Sequence, residues 1–204
     1  MEVSRRDALV RRIRWLAAAT ICYNLVEGAV AIAAGSAASS SALIGFGLDS
    51  LIEASSATAL SWQFSAAGHE ARESRERLTL RLIATSFFAL AVYVAIDSAL
   101  AFTGRGEAEP SPVGIGLAAV SLVVMPLLSL AERRAGRELG STSAVADSKQ
   151  TLLCAWLSAV LLAGLLANSL FGWSWADPIA GLVIAGVAAK EGLEAWRGEK
   201  EEHA

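Results

Sequence analysis

The sequence has little charge, few cysteines and few histidines, and each scarcity excludes a class of protein. Charged residues make up 18% of the 204 residues and the net charge is −3, so no strongly basic surface is available for nucleic acid. Two cysteines, Cys22 and Cys154, are too few for a disulfide framework. The two histidines, His69 and His203, lie in charged segments, where we expect them to be solvated.

Hydrophobic residues are abundant instead. They make up 54% of the chain and the mean hydropathy is +0.49, which is more apolar than an ordinary soluble domain. The apolar residues form six runs of roughly 20 residues, the length that a helix needs to cross a bilayer. We therefore predict an all-α, polytopic membrane protein built as a bundle of six transmembrane helices. The predicted spans are 15–34, 42–62, 80–102, 113–131, 146–171 and 179–196.

The basic residues are distributed unequally between the segments that connect these spans. Sixteen of the seventeen Lys and Arg residues lie in segments on one side, and only Arg105 lies in a loop on the other. Because cytoplasmic segments carry the excess of basic residues, we expect both termini in the cytoplasm and a bacterial-type inner (cell) membrane as the location. The predicted organisation is a basic N-terminus (1–14), a six-span membrane domain (15–196) and a short tail (197–204).

Two acidic residues lie near the middle of the second predicted span. Asp49 and Glu53 are four residues apart, so on a helix their carboxylates lie on one face, about 6 Å apart along the axis. Each acid at that depth costs about 2.5–3.5 kcal/mol on insertion scales. The two also repel each other unless something positive lies between them. A divalent cation or a proton meets this need. The alternative is an Arg or Lys from a neighbouring helix, although the other spans offer almost no basic residue at that depth.

The fifth predicted span carries a matching polar stripe. Asp147, Gln150 and Cys154 recur at spacings of three and four, which places them on one face of a helix. Glu53 and Cys154 lie at similar depths, about 12–14 Å from the inner ends of their helices. If the two stripes face each other, Asp49, Glu53, Gln150 and Cys154 form one four-ligand metal site. The alternatives are core packing for Cys154 and an interhelical hydrogen bond for Gln150.

Span one adds two polar residues on one face, Asn24 and Glu27. Glu27 is deep enough in the membrane to need a partner. It lines the same cavity, relays a proton or bonds a neighbouring helix, and we favour cavity lining or packing over direct ligation. Asn24, Glu27 and Asp147 are therefore predicted as accessory residues of the cavity.

Several motifs resemble the cation diffusion facilitator family over about residues 10–196. They are Leu48-Asp49-Ser-Leu-Ile-Glu53, Ala146-Asp147-Ser-Lys-Gln150-Thr-Leu-Leu-Cys154, Asn24 and the turn Gly172-Trp-Ser-Trp-Ala-Asp177-Pro178. The resemblance implies export of divalent metal cations, zinc first and otherwise iron, cobalt, manganese or cadmium, in exchange for protons. It also implies a homodimer through the transmembrane helices.

The family's site is an Asp-x-x-x-Asp pair on span two that faces a His-x-x-x-Asp pair on span five. This chain departs from it with Glu53 in the first pair and with Gln150 and Cys154 in the second. Only eight residues follow Trp196, so we expect a short branch without the family's cytoplasmic C-terminal domain.

Three functions follow from these observations. The first is proton-coupled transport by alternating access, because metal release from paired carboxylates is linked to proton uptake. The alternative is a membrane protein that kept the transporter fold but only binds metal or a partner, since His and Asp are lost at 150 and 154. An enzyme is disfavoured, because no Ser/His or His/Glu constellation lies at membrane depth.

Overall fold

A computed structural model of the chain describes residues 2–64, 69–103, 108–139 and 142–201. Over these residues the secondary structure is helical, with no strand, which confirms the predicted all-α fold. The helices are α1 (Glu2–Ala38), α2 (Ser41–Phe64), α3 (His69–Ala101), α4 (Pro112–Leu139), α5 (Thr142–Phe171) and α6 (Ala176–Glu201).

Each helix corresponds to one predicted span, although span 80–102 ends one residue beyond α3, and several helices continue beyond their spans. Helix α1 begins at Glu2, so the basic segment predicted over 1–14 largely continues the first helix. Helix α3 begins at His69 and includes the charged residues that precede span three. These extensions are rich in Arg and Glu, which are good helix formers. Helix α4 is continuous through Pro126.

Four of the described helices contain a stretch that is long and apolar enough to cross a membrane. These stretches are Arg11–Ala38, Arg81–Ala101, Pro112–Glu138 and Thr151–Phe171, in α1, α3, α4 and α5. Large apolar side chains lie exposed on them, as a lipid-facing surface requires, among them Trp156, which is 69% exposed. The spans predicted for α2 and α6 stay predictions.

Helix α2 has the most central position in the bundle. The neighbouring pairs are α1 with α2, α3 with α6 and α4 with α5, and α2 also contacts α3, α5 and α6. Its side chains are therefore surrounded by protein over much of its length. Residues on α2 that are too polar for lipid, such as Asp49 and Glu53, lie inside the bundle for this reason.

Two glycines allow α1 and α2 to approach closely. A Cβ atom on Gly28 would lie 2.9 Å from the carbonyl oxygen of Gly47, and one on Gly47 would lie 2.9 Å from that of Gly28. Small residues at a helix interface permit this backbone contact. The contact lies one turn from Asn24, next to Glu27, and it brings both side chains to α2.

The turn between α5 and α6 begins at Gly172 as predicted but is shorter than the predicted Gly172–Pro178, because α6 begins at Ala176. Gly172 has φ +65°, the left-handed conformation that ends many helices, and its amide donates to the carbonyl of Asn168 at 2.9 Å. Trp173 and Trp175 stack with ring centroids 5.1 Å apart, and both are about half exposed. Exposed tryptophans at a helix end are typical of a membrane–water interface.

Candidate metal centre

Three of the four predicted ligands come together between α2 and α5. Asp49 and Glu53 lie one turn apart on α2, and Cys154 lies on α5. Each offers one ligand atom, and these atoms all lie within 4.8 Å of one another. All three side chains are buried, with exposed fractions of 4% for Asp49, 8% for Glu53 and 0% for Cys154. The structure thus makes one cluster from residues about one hundred positions apart in the sequence.

The donor set suits a divalent transition metal. Two carboxylates and a thiol, which binds metals as thiolate, bind such ions at about 2.0–2.3 Å. Ligand atoms within 4.8 Å of one another are close enough for a single ion to contact all three after small side-chain movements.

The charges around Asp49 also favour a cation. The carboxylates of Glu27 and Glu191 lie close enough to repel that of Asp49. Asp49 makes no ion pair with an Arg or Lys in the part of the chain that the structure describes. The basic side chain nearest to membrane depth on α6, Lys190, instead pairs with Glu194 at 3.3 Å. The described residues therefore give no support to the alternative that an Arg or Lys from a neighbouring helix neutralises Asp49.

The remaining predicted residues of α5 lie on the same helix, one or two turns before Cys154. Asp147 and Gln150 fall within α5, but their side chains lie outside the described residues. The fourth ligand, Gln150, and the accessory role of Asp147 stay predictions.

Helix α1 supplies Asn24 to the edge of the cluster. Asn24 is 2% exposed, and its Nδ2 donates a hydrogen bond to Oε2 of Glu53 at 3.3 Å. The contact fixes one oxygen of Glu53 and connects α1 with α2.

Glu27 lies next to Cys154, and its side-chain contacts connect four helices. It is 1% exposed and accepts hydrogen bonds from Ser50 of α2, at 2.9 Å, and from Ser121 of α4. The Cys154 sulfur lies 4.0 Å from Oε2 of Glu27. Glu27 is thus placed to orient the thiol and to hold α1, α2, α4 and α5 together around the cluster.

A comparison with protein families agrees with this geometry. A family model described as the cation efflux transmembrane domain matches residues 17–197, most of the chain. The chain belongs to the cation diffusion facilitator family. A search of curated proteins found no match. The resemblance drawn from the sequence motifs is confirmed, and the chain is a multi-pass membrane protein of a cation-transporting family.

Within this cation diffusion facilitator, the structure adds polar residues that sequence reasoning missed. Ser121 of α4 bonds both Glu27 and the hydroxyl of Tyr23, the latter at 2.8 Å. A single serine in an apolar run is a weak signal, because serine hydroxyls are often satisfied by their own helix backbone. Only the packing of α4 against α1 reveals its partners.

The burial of Glu132 does not follow from the sequence pattern. It comes directly after the predicted span 113–131, but it lies inside α4 and is 3% exposed. Thr20 of α1 donates to it at 2.8 Å, and Thr151 of α5 at 3.3 Å. Thr151 lies one turn before Cys154 on α5, so the carboxylate of Glu132 is a further buried acid about one turn from the cluster.

Proposed function

We propose that this chain exports divalent metal cations from the cytoplasm in exchange for protons. Asp49, Glu53 and Cys154 hold the ion between α2 and α5, with Gln150 as a fourth ligand. The observation that carries the proposal is the buried cluster of two carboxylates and a thiol within 4.8 Å, inside the bundle of a cation-transporting family. Burying such groups costs free energy, which a bound cation offsets.

The donor set favours zinc. A thiolate ligand favours zinc and cadmium over harder ions such as manganese, whereas the two carboxylates also accept iron, cobalt and manganese. Cys154 is fully buried, and its sulfur lies within 4.8 Å of the ligand oxygens of Asp49 and Glu53. We therefore expect the order of transport rates to be set by Cys154.

Proton exchange follows from the same charges. Without a cation, Asp49 and Glu53 repel each other in a site of low dielectric, and protons relieve that repulsion. A cation that enters must displace those protons, and a cation that leaves is replaced by them. A pH gradient across the membrane therefore drives metal movement.

We also propose an orientation, a location and an assembly. The distribution of basic residues supports cytoplasmic termini, with the chain in the inner membrane of a bacterial-type cell. The family resemblance supports a homodimer through the transmembrane helices. Crosslinking of single cysteines introduced on exposed helix faces tests the dimer, and a monomer at all protein concentrations would contradict it.

Metal uptake into sealed proteoliposomes under an imposed pH gradient tests transport. Asp49→Ala should abolish gradient-driven zinc uptake, whereas Glu194→Ala, a change of an acid whose side chain is 58% exposed, should leave it unchanged. Zinc binding without uptake by the wild type would favour the alternative, a metal-binding protein that does not transport. Uptake by Asp49→Ala at the wild-type rate would contradict the proposed site.

A further inference from the structure

The amide of Asn24 carries an atom that the helix bundle leaves without a partner. Its Nδ2 donates to Glu53, but its Oδ1 is buried and accepts no hydrogen bond from any residue that the structure describes. The side chain as a whole is 2% exposed. Most buried polar side-chain atoms have a partner, so an unpartnered acceptor beside a cluster of ligands requires an explanation.

The opposite orientation of the amide does not solve the problem. Which end of an amide is oxygen is assigned from its hydrogen bonds. If the amide of Asn24 were turned over, its Oδ1 would face Oε2 of Glu53, and the two oxygens would repel each other whenever Glu53 is ionised, as it must be to bind a cation. With Glu53 ionised, the oxygen is unpartnered in one orientation and repelled in the other. A positive ion at the cluster satisfies the amide oxygen in either case.

We propose that Oδ1 of Asn24 is a further ligand of the transported cation, so that the site is built on three helices rather than two. The proposal rests on the function proposed above. An amide carbonyl is a neutral oxygen ligand of the kind that divalent cations accept beside carboxylates. It adds a bond to the ion without adding negative charge to a site where Asp49, Glu53 and Glu27 already lie close together.

The packing of α1 keeps this oxygen near the cluster. The Gly28–Gly47 contact fixes the distance between α1 and α2 one turn from Asn24, and Glu27 on the same helix is bonded to Ser50 of α2 at 2.9 Å. A ligand held in this way needs little reorganisation when the ion binds.

Cadmium binding to the full chain, purified in nanodiscs, tests the proposal. The ultraviolet charge-transfer band of a cadmium–thiolate bond reports whether the ion lies at Cys154, and its titration gives the affinity. The variants are Asn24→Ala, which removes the oxygen, and Asn24→Asp, which keeps an oxygen but removes the donor to Glu53. Asn168→Ala is the matched control, because Asn168 is also buried but donates to the carbonyl of Ala108 at 2.7 Å, at the other end of α5.

We expect Asn24→Ala to keep the thiolate band but to bind cadmium about 10- to 100-fold more weakly. Asn24→Asp should bind within a few-fold of the wild type, and Asn168→Ala should match the wild type. If Asn24→Ala does not fold, Asn24→Leu, which conserves the volume, takes its place.

Two results would overturn the inference while leaving the proposed function intact. One is wild-type affinity in Asn24→Ala. The other is equal weakening in Asn24→Ala and Asn24→Asp, which would mean that Asn24 only positions Glu53 through its donor. A wild-type protein with no thiolate band and no cadmium binding would instead refute the proposed function itself, and the inference with it.

Discussion

Neutralising one carboxylate of the cluster should stabilise the metal-free protein while it removes metal binding. The ligand oxygens of Asp49 and Glu53 lie within 4.8 Å of each other. Two full charges at that distance repel each other by about 3.5 kcal/mol at an effective dielectric constant of about 20. Asn at position 49 keeps the shape of the side chain and removes this repulsion. The gain in the free energy of unfolding is smaller than this repulsion energy, because the wild-type pair already relieves part of the repulsion by taking up a proton.

Bound metal should reverse the order of stability. At a zinc concentration about 100-fold above its dissociation constant, binding stabilises the folded wild type by about 2.7 kcal/mol. Asp49→Asn lacks one charged ligand and should gain little. We therefore expect the variant to unfold at the higher temperature in chelator, and the wild type to match or exceed it in zinc. In chelator, acidic pH should reduce the difference in unfolding temperature between the two proteins, because protons then neutralise the Asp49–Glu53 pair of the wild type as well.

Thermal unfolding in nanodiscs, followed by tryptophan fluorescence, measures both effects. The exposed acid of the Lys190–Glu194 pair provides the control, and Glu194→Gln should shift neither unfolding temperature nor the response to zinc. A lower unfolding temperature for Asp49→Asn than for the wild type in chelator would refute a destabilising repulsion between the two carboxylates. An equal rise in the unfolding temperatures of both proteins on addition of zinc would refute Asp49 as a ligand.

The other predictions concern the soft ligand, the second acid, the helix contact and the topology. Cys154→Ser should slow the transport of zinc and cadmium more than that of harder metals. Bound metal should protect Cys154, but not the exposed Cys22, from thiol reagents. If Cys154→Ser leaves the transport rates and the order of preference among metals unchanged, Cys154 only packs. Glu53→Asp should retain metal uptake into vesicles, whereas Glu53→Gln should lose it. Equal uptake rates for the two variants would show that transport does not require a negative charge at position 53. Gly47→Val should lower metal affinity by separating α1 from α2, seen in a cadmium titration, and unchanged affinity would show that the contact is dispensable. Reporters fused after the C-terminus and within 103–112 should lie on opposite sides of the membrane. If both reporters lie on the same side, the predicted number of spans is wrong.

The helices and the pairing of α2 with α5 were predictable because both depend on local periodicity. A run of about twenty apolar residues has few alternatives to a membrane helix. The spacing of four between Asp49 and Glu53 places both on one face of that helix. The depth of Cys154 on an antiparallel helix then brings it level with Glu53, and the structure places all three within 4.8 Å.

The partners of Glu27 and Glu132 were not predictable, because they lie on helices distant in the sequence. Ser121 and Thr20 are single hydroxyls in apolar runs, and nothing local separates a hydroxyl that bonds its own backbone from one that bonds another helix. Glu132 lies at the boundary between apolar and charged residues, where hydropathy alone leaves its burial open.

The sequence by itself determined the membrane class, the helical fold, the family and the face on which the two acids of α2 lie. The membrane class, the helical fold and the shared face follow from composition or from the 3.6-residue period of a helix, which needs no knowledge of neighbours. The family follows from the resemblance of the motifs and from the matching family model. Tertiary structure alone decided which helices surround that face. The mutual contact of Gly28 and Gly47 brings α1 against α2, and only this close approach gives Asn24 an acceptor on Glu53 and leaves its own oxygen without a donor. The distance between two helices depends on side chains from both, so neither helix encodes it alone.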